Sequence, residues 1–175
     1  MKTKSSALFF LLCTAAGGTK EELPGLDFDD LELRGKITDV VLTESTAAGI
    51  DPLLVIAVMR VESKLDVNAV SSCGAVGLMQ LRPSTAHWLA KKEGLPDTAM
   101  EDPAANVQLG IRYLHRLIKR FKDIDTALIA YNAGPRRAQE LLDSPDDIPD
   151  RFLAYPEKVE QEYHRLKSLV VVPVS

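Results

Sequence analysis

The chain has 175 residues, 46% of them hydrophobic, which is enough material for one domain with a sizeable core. Its formal charge of −4 comes from 25 acidic and 21 basic residues, and no long basic block occurs. This balance argues against sequence-independent binding of nucleic acid, so no nucleic-acid partner is expected.

Residues 1–18 have the pattern of a secretory signal peptide: two lysines, a short apolar run and then small residues. We therefore expect the mature protein to be exported, to the periplasm, with no stable transmembrane segment after cleavage, because the apolar run is too short to span a bilayer. Cys13 leaves a lipoprotein anchor open, but the large Leu12 before it fits a lipobox poorly. Export without lipidation is the favoured interpretation.

Residues 19–36 are acidic and interrupted by Pro24-Gly25, which predicts a linker or a loosely packed N-terminal arm. The single domain is then expected to occupy residues 37–170. Its first helix covers Ile37 to Ala48 and ends at Gly49, a typical helix C-cap.

The next helix is the centre of the domain. Asp51 is a suitable N-cap and Pro52 a suitable first helical residue. The following residues are apolar on nearly every side, as in a buried helix, and Glu62 closes the run. Hydrocarbon around this carboxyl group and the negative end of the helix dipole both disfavour its ionised form, so we expect a raised pKa. For an arbitrary glutamate at such a place, an ion pair with Arg60 or Lys64 is the usual alternative.

Small and polar residues then predict a loop over 68–77, with tight turns at Gly74 and Gly77. Leu78-Met79-Gln80 follows, and it would present an amide and a flexible apolar side chain to a ligand. If Cys13 is removed, Cys73 is the one cysteine left, and we interpret it as a small buried or semi-exposed thiol.

The remainder of the chain predicts further helices and no convincing strand, so the fold should be all-α with at most a minimal β element. A short helix follows Pro83 and ends at Gly94; its Trp88 is either a sugar-stacking platform or, as we favour, a core residue. A long amphipathic helix follows Asp102-Pro103, and Asp125 would cap the next one. The last helices are expected over residues 135–142 and 156–170.

Two ordered motifs give the chain a family resemblance. The first combines Glu62-Ser63, Ser71, Gly74-Ala75, Gly77-Leu78-Met79-Gln80, Pro83 and Thr85-Ala86; the second is Ala130-Tyr131-Asn132-Ala133-Gly134-Pro135. Together they resemble the soluble lytic transglycosylases (SLT domain), lyases of the lysozyme-like superfamily that act on peptidoglycan of the cell wall. The resemblance covers roughly residues 38–167 and implies a lysozyme-like fold.

The resemblance also implies a reaction. Glu62 would be the single general acid and base that cleaves the MurNAc-GlcNAc β-1,4 bond of peptidoglycan strands with formation of a 1,6-anhydro sugar. Substrate-binding residues would be Ser71, Gly77, Met79, Gln80, Tyr131 and Asn132. No metal or cofactor is expected, since His87 has no neighbouring ligand residue at a suitable spacing. There are two alternatives: a lysozyme-type hydrolytic muramidase and a non-catalytic peptidoglycan-binding module of an envelope assembly. The sequence does not identify a protein partner.

One departure from the family pattern concerns the last helix. The family carries a Glu-Thr pair ahead of a tyrosine, and matching that tyrosine to Tyr163 puts Val159 and Glu160 in place of the pair. This match puts the C-terminal wall of the site in question and leaves Glu62 unaffected.

Overall fold

A computed structural model describes residues 23–143 and 149–170 of the chain. The predicted signal peptide, Cys13, residues 19–22 of the predicted arm, residues 144–148 and residues 171–175 lie outside the described residues.

The described residues form seven α-helices and one short 3-10 helix, which confirms the prediction of an all-α fold. Extended pairing within them is limited to two isolated bridges, Val70 with Val76 and Val76 with Leu81. None of these helices is long and apolar enough to cross a membrane. The α-helices are α1 (Leu31–Ala48), α2 (Pro52–Ser63), α3 (Pro83–Glu93), α4 (Pro103–Phe121), α5 (Ile124–Ala133), α6 (Pro135–Leu142) and α7 (Asp150–Leu169), and the 3-10 helix, Asp97–Glu101, lies between α3 and α4.

Helix α2 is the central helix, as its sequence predicts. Asp51 caps it by accepting a hydrogen bond from the Leu53 N–H at 2.9 Å, and every residue from Pro52 to Met59 is buried. Helix α7 packs along α2, and α1 packs against both α2 and α4. The apolar surface of α2 is therefore covered from several sides, which leaves only its C-terminal end, with Glu62, near solvent.

The segment before residue 37 differs from the prediction. Leu23, Leu26 and Phe28 are buried in the main hydrophobic core, and α1 begins at Leu31 with Asp30 as its N-cap. Arg60 holds this segment by donating to the Gly25 carbonyl at 3.0 Å. The interpretation of residues 19–36 as a linker or loose arm is therefore wrong for the described part. Pro24-Gly25 and the aspartates break the helical pattern without preventing burial of the apolar residues between them.

Four smaller corrections concern helix starts and exposure. Asp123, not Asp125, caps α5, because its carboxylate accepts from the Thr126 N–H at 2.8 Å. Helix α7 begins at Asp150 and runs through Pro156. Trp88 is 48% exposed, so the interpretation that it fills the core is wrong. Cys73 is exposed as well.

Candidate active site

Glu62 lies half-buried at the C-terminal end of α2, one residue before the helix ends. The chain turns sharply after it, because Lys64 and Leu65 both adopt left-handed backbone conformations. Burial raises the pKa of the Glu62 carboxyl group to about 7, in the direction that the sequence predicts. A group with this pKa is present in both protonation states near neutral pH, which suits a proton donor and acceptor.

Among the described residues, Glu62 forms no ion pair with Arg60 or Lys64. The Arg60 guanidinium bonds the carboxylates of Asp27 and Glu162, at 2.7 and 2.6 Å. Glu62 instead accepts a hydrogen bond from the Tyr155 hydroxyl at 2.6 Å. This bond favours the ionised carboxylate and so opposes part of the effect of burial on the Glu62 pKa.

Tyr155 is the site residue that the sequence analysis missed. Helices α2 and α7 pack antiparallel, so Tyr155 reaches Glu62 at the end of α2 while the Tyr163 hydroxyl donates to Asp51 at its start, at 2.8 Å. The tyrosine of the Glu-Thr-Tyr pattern is therefore better matched to Tyr155 than to Tyr163. The same spacing then places Arg151 and Phe152, not Val159 and Glu160, at the Glu-Thr positions. A helix start assumed at Pro156 hid this signal.

The loop after Glu62 is closed by its own hydrogen bonds. The Ser71 N–H donates to the Ala75 carbonyl at 2.9 Å, and the Ser71 hydroxyl accepts from the Ala75 N–H at 3.0 Å. Ser63, directly after Glu62, has its hydroxyl 3.0 Å from the carbonyl oxygen of Leu78. The end of α2 and the far side of the loop are thereby joined next to the acid.

A single buried carboxamide fixes the second half of the loop. Asn106 in α4 is fully buried; it donates to the carbonyls of Val76 and Met100, each at 3.0 Å, and accepts from the Met79 N–H at 2.9 Å. Gly77 makes room for it, because a Cβ at Gly77 would lie 2.5 Å from the Asn106 amide nitrogen, and its φ of +77° also favours glycine. The tight approach expected at Gly77 is thus an approach of protein to protein, not of a ligand.

Met79 is also placed differently from the prediction. Its side chain is completely buried against Gly110 of α4, where an added Cβ would come within 2.6 Å of it. The expectation that this side chain faces a ligand is therefore corrected. The backbone of Met79 is what reaches the site: its carbonyl accepts a hydrogen bond from the Tyr131 hydroxyl at 2.8 Å.

Gln80 and Tyr131 hold the loop from two sides. The Gln80 amide nitrogen donates to the carbonyls of Ala69 and Gly77, at 3.0 and 2.9 Å, and its backbone has a positive φ of 46°. Tyr131 packs against Tyr113 with ring centroids 5.4 Å apart. Burial and the nearby charge of Glu62 hold the pKa of Tyr131 well above its usual value, so its phenol stays a hydrogen-bond donor. Asn132 lies exposed directly after it.

The structure thus brings Glu62, Tyr155, Tyr131 and the loop of residues 68–80 together. Ser71 lies half-exposed in that loop. No group of three or more His, Cys, Asp or Glu side chains in the described ranges is arranged to hold a metal ion. Fold and site define an all-α domain built around one acid of raised pKa at a helix end.

Comparison with known proteins identifies the family. The family model described as "Transglycosylase SLT domain" matches residues 39–150. The transglycosylase of Enterobacteria phage PRD1 is 37% identical over 94 residues, 54% of this chain and 33% of that protein. The membrane-bound lytic murein transglycosylase C of Haemophilus influenzae (strain PittGG) is 34% identical over 126 residues, 63% of this chain and 35% of that protein. The chain therefore belongs to the transglycosylase SLT domain family.

Solved structures agree with this assignment and with the lysozyme-like fold. An inactive Glu-to-Gln mutant of lytic transglycosylase Slt from Pseudomonas aeruginosa matches with a TM-score of 0.66 and 27% identity, over 81% of this chain and 26% of that one. The 70 kDa soluble lytic transglycosylase of Escherichia coli matches with a TM-score of 0.66 and 25% identity, over 74% and 24%. The chain spans about a third of the length of these curated relatives and about a quarter of these solved chains.

Proposed function

We propose that this protein is a peptidoglycan lytic transglycosylase that cleaves the MurNAc-GlcNAc β-1,4 bond and leaves a 1,6-anhydro-MurNAc end. The observation that carries the proposal is the isolation of Glu62: its carboxyl group has a pKa raised to about 7 by burial, and the Tyr155 hydroxyl is its hydrogen-bond partner. Family membership supports the substrate, since relatives are named as murein transglycosylases. We infer export as the setting from the signal-peptide pattern of residues 1–18; relatives of this kind are named both membrane-bound and soluble.

In the first step, protonated Glu62 donates its proton to the glycosidic oxygen as the bond from that oxygen to C1 of MurNAc breaks. In the second step, the C6 hydroxyl of the same MurNAc attacks C1 and gives its proton to the Glu62 carboxylate, which restores the acid. No water is consumed. Tyr155 orients the carboxyl group and, by its hydrogen bond, stabilises the carboxylate that exists between the two steps.

The single acid favours this reaction over ordinary hydrolysis. Retaining and inverting glycosidases generally use two carboxyl groups about 5–9.5 Å apart. Among the described residues no second carboxylate contributes to the pKa of Glu62, whose perturbation comes from burial and Tyr155 alone. The relative of known structure described as an inactive Glu-to-Gln mutant also supports a central role for one glutamate.

Within the site, we infer a division between contact and positioning. Ser71 and Asn132, which retain exposure, are the candidates for direct contact with sugar, and half-buried Tyr131 borders them. Gly77, Met79 and Gln80 act by holding the loop in place, because their side chains or α-carbons are engaged inside the protein.

Mass spectrometry of digested peptidoglycan sacculi tests the reaction. The expected products carry 1,6-anhydro ends and lack the elements of one water relative to hydrolysis products. Reducing ends would instead identify a muramidase. Sacculi that bind and pellet the protein without any released product would identify a non-catalytic binding module.

Substitution of Tyr155 by phenylalanine tests the role of the tyrosine. The hydroxyl favours the ionised form of Glu62, so its removal should raise the Glu62 pKa further above about 7. Free enzyme needs protonated Glu62 to start the reaction, so kcat/KM falls as pH rises through this pKa. In Tyr155→Phe that alkaline limb should move to higher pH by about half a unit to one unit, which corresponds to a difference of about 0.7–1.4 kcal/mol in how strongly the hydroxyl bonds the two protonation states. Tyr163→Phe, which affects the other end of α2, should leave the alkaline limb in place. A shift of the limb in both variants, or in neither, would contradict the role of Tyr155 as the hydrogen-bond partner of Glu62.

A further inference from the structure

A surface hollow of about 450 Å³ lies beside the site, between α3, α4 and the start of α6. We call it the Trp88 hollow. Its lining includes Thr85, Trp88, Tyr113, Arg116, Arg120 and Pro135. None of these side chains has a part in the reaction described above.

The Trp88 hollow adjoins the site through two links. Tyr113, which lines it, packs against Tyr131, and Tyr131 in turn bonds the Met79 carbonyl in the loop beside Glu62. Pro135 lies three residues after Asn132, at the break between α5 and α6. A chain-like substrate held near Asn132 and Tyr131 would therefore pass the rim of the hollow.

Positive charge is concentrated around the hollow although the whole chain has a formal charge of −4. Lys92 and Arg116 lie over the Trp88 ring, at 5.4 and 5.5 Å from its centroid. Arg116 also pairs with Glu93, which it shares with Arg112, while Arg112 has a second carboxylate partner in Glu44. Arg120 lies over the Phe121 ring, and no described carboxylate forms an ion pair with Arg120 or Lys92.

This arrangement favours an anion over a neutral sugar. A sugar that stacks on Trp88 needs an open ring face, whereas here two cations already lie over that ring. Guanidinium groups bind carboxylates through directed, charge-assisted hydrogen bonds. An apolar floor with arginines at its edge matches a short peptide that carries free carboxylates.

We propose that the Trp88 hollow binds the carboxylate-bearing stem peptide of peptidoglycan, with Arg120 and Arg116 as the carboxylate-binding groups. The inference rests on the proposed function, because the stem peptide hangs from the lactyl group of the same MurNAc units that pass the site. It assigns to this chain a preference for peptide-substituted strands over bare glycan. The preference weakens as salt increases, since its charged partners are partly exposed.

Binding measurements on a catalytically blocked form test this without requiring turnover. In the Glu62→Gln background, calorimetric titration compares two soluble probes: a disaccharide-tetrapeptide dimer and the same glycan with its peptides removed by amidase. The peptide-bearing probe should bind more tightly, and Arg120→Gln should reduce that ratio of affinities about 3–10-fold, the range for one partly exposed charged hydrogen bond. Quenching of Trp88 fluorescence by the peptide-bearing probe alone is expected as a local readout.

Lys119→Gln is the matched control. It removes the same charge from the neighbouring position of α4, and Lys119 is exposed and does not line the hollow. The affinity ratio should be kept in this variant. Equal affinity for the two probes would overturn the proposal, because it would show that no peptide subsite exists. An equal loss of the affinity ratio in Lys119→Gln and Arg120→Gln would also overturn it, in favour of non-specific charge attraction. Failure of the proposed function would be seen in a separate measurement. In that case both probes would bind, but the unsubstituted protein would release no anhydro product.

Discussion

Glu62→Gln is expected to lower the rate of sacculus digestion by about 10³–10⁴. General acid–base assistance by one group is worth about 10²–10⁴ in rate, and here the same group would serve both half-reactions, which places the loss in the upper part of that range. Glutamine keeps the volume and can still accept the Tyr155 hydrogen bond, but it neither supplies nor recovers a proton. Release of anhydro-muropeptides, followed by mass spectrometry, measures the effect.

The control for this variant is Glu157→Gln, which removes an exposed carboxylate from α7. It should digest sacculi at the unsubstituted rate. Pelleting with sacculi should be retained in Glu62→Gln, because the loop and Tyr131 are intact. If Glu62→Gln kept more than about a tenth of the turnover, the loss would be smaller than the weakest acid–base effect and Glu62 would not be the acid.

The same substitution should stabilise the fold in a pH-dependent way. Folded Glu62 has a pKa of about 7 against an ordinary value of 4.5, so the folded state holds the proton over a range where the unfolded state has lost it. The contribution of Glu62 to the free energy of unfolding therefore falls by about 3 kcal/mol as pH rises from 4.5 to 7. Above pH 7 this contribution stays level. Glu62→Gln avoids the loss. Its advantage in thermal melting should be small at pH 4.5 and largest at pH 8; an advantage independent of pH would contradict the raised pKa.

The central helix could be predicted because its signals are local. Asp51-Pro52 starts α2, and the apolar run that follows requires burial on all sides. Burial at the end of such a run raises the pKa of a carboxyl group there. The roles of Asn106 and Tyr113 in α4 could not be predicted in this way. What each contacts depends on how α4 approaches the loop, and no local pattern encodes that approach.

The errors share a physical cause, which is long-range packing. Tyr155 meets Glu62 across 93 residues because α7 packs antiparallel to α2, and a proline next to Tyr155 suggested a helix start that the structure does not have. Phe28 and its neighbours are buried although their segment has no regular hydrophobic period. Trp88 was assigned to the core from its size alone, whereas the structure leaves it 48% exposed with two cations over its ring.

The buried carboxamide of Asn106 should be the most sensitive structural position near the site. In Asn106→Ala the Met79 N–H and the Met100 carbonyl lose their bond to Asn106 at a position that is fully buried, whereas the Val76 carbonyl keeps the Leu81 N–H as a donor. Each unsatisfied buried group costs about 1–3 kcal/mol, and partial relaxation of the loop reduces the sum. We expect a loss of about 3–5 kcal/mol in the free energy of unfolding, measured by urea denaturation.

Asn68→Ala is the matched control, because it removes the same side chain from an exposed position of the same loop and should change stability by less than about 0.5 kcal/mol. Activity separates a local from a global effect. The Met79 backbone links Asn106 to Tyr131, so folded Asn106→Ala should digest sacculi more slowly even at low temperature, where most molecules remain native. Because Glu62 is held from α2 and α7 instead, its pH profile should keep the same midpoint in this variant. A midpoint displaced as far as in Tyr155→Phe would show that the loop, and not α7, sets the environment of the acid.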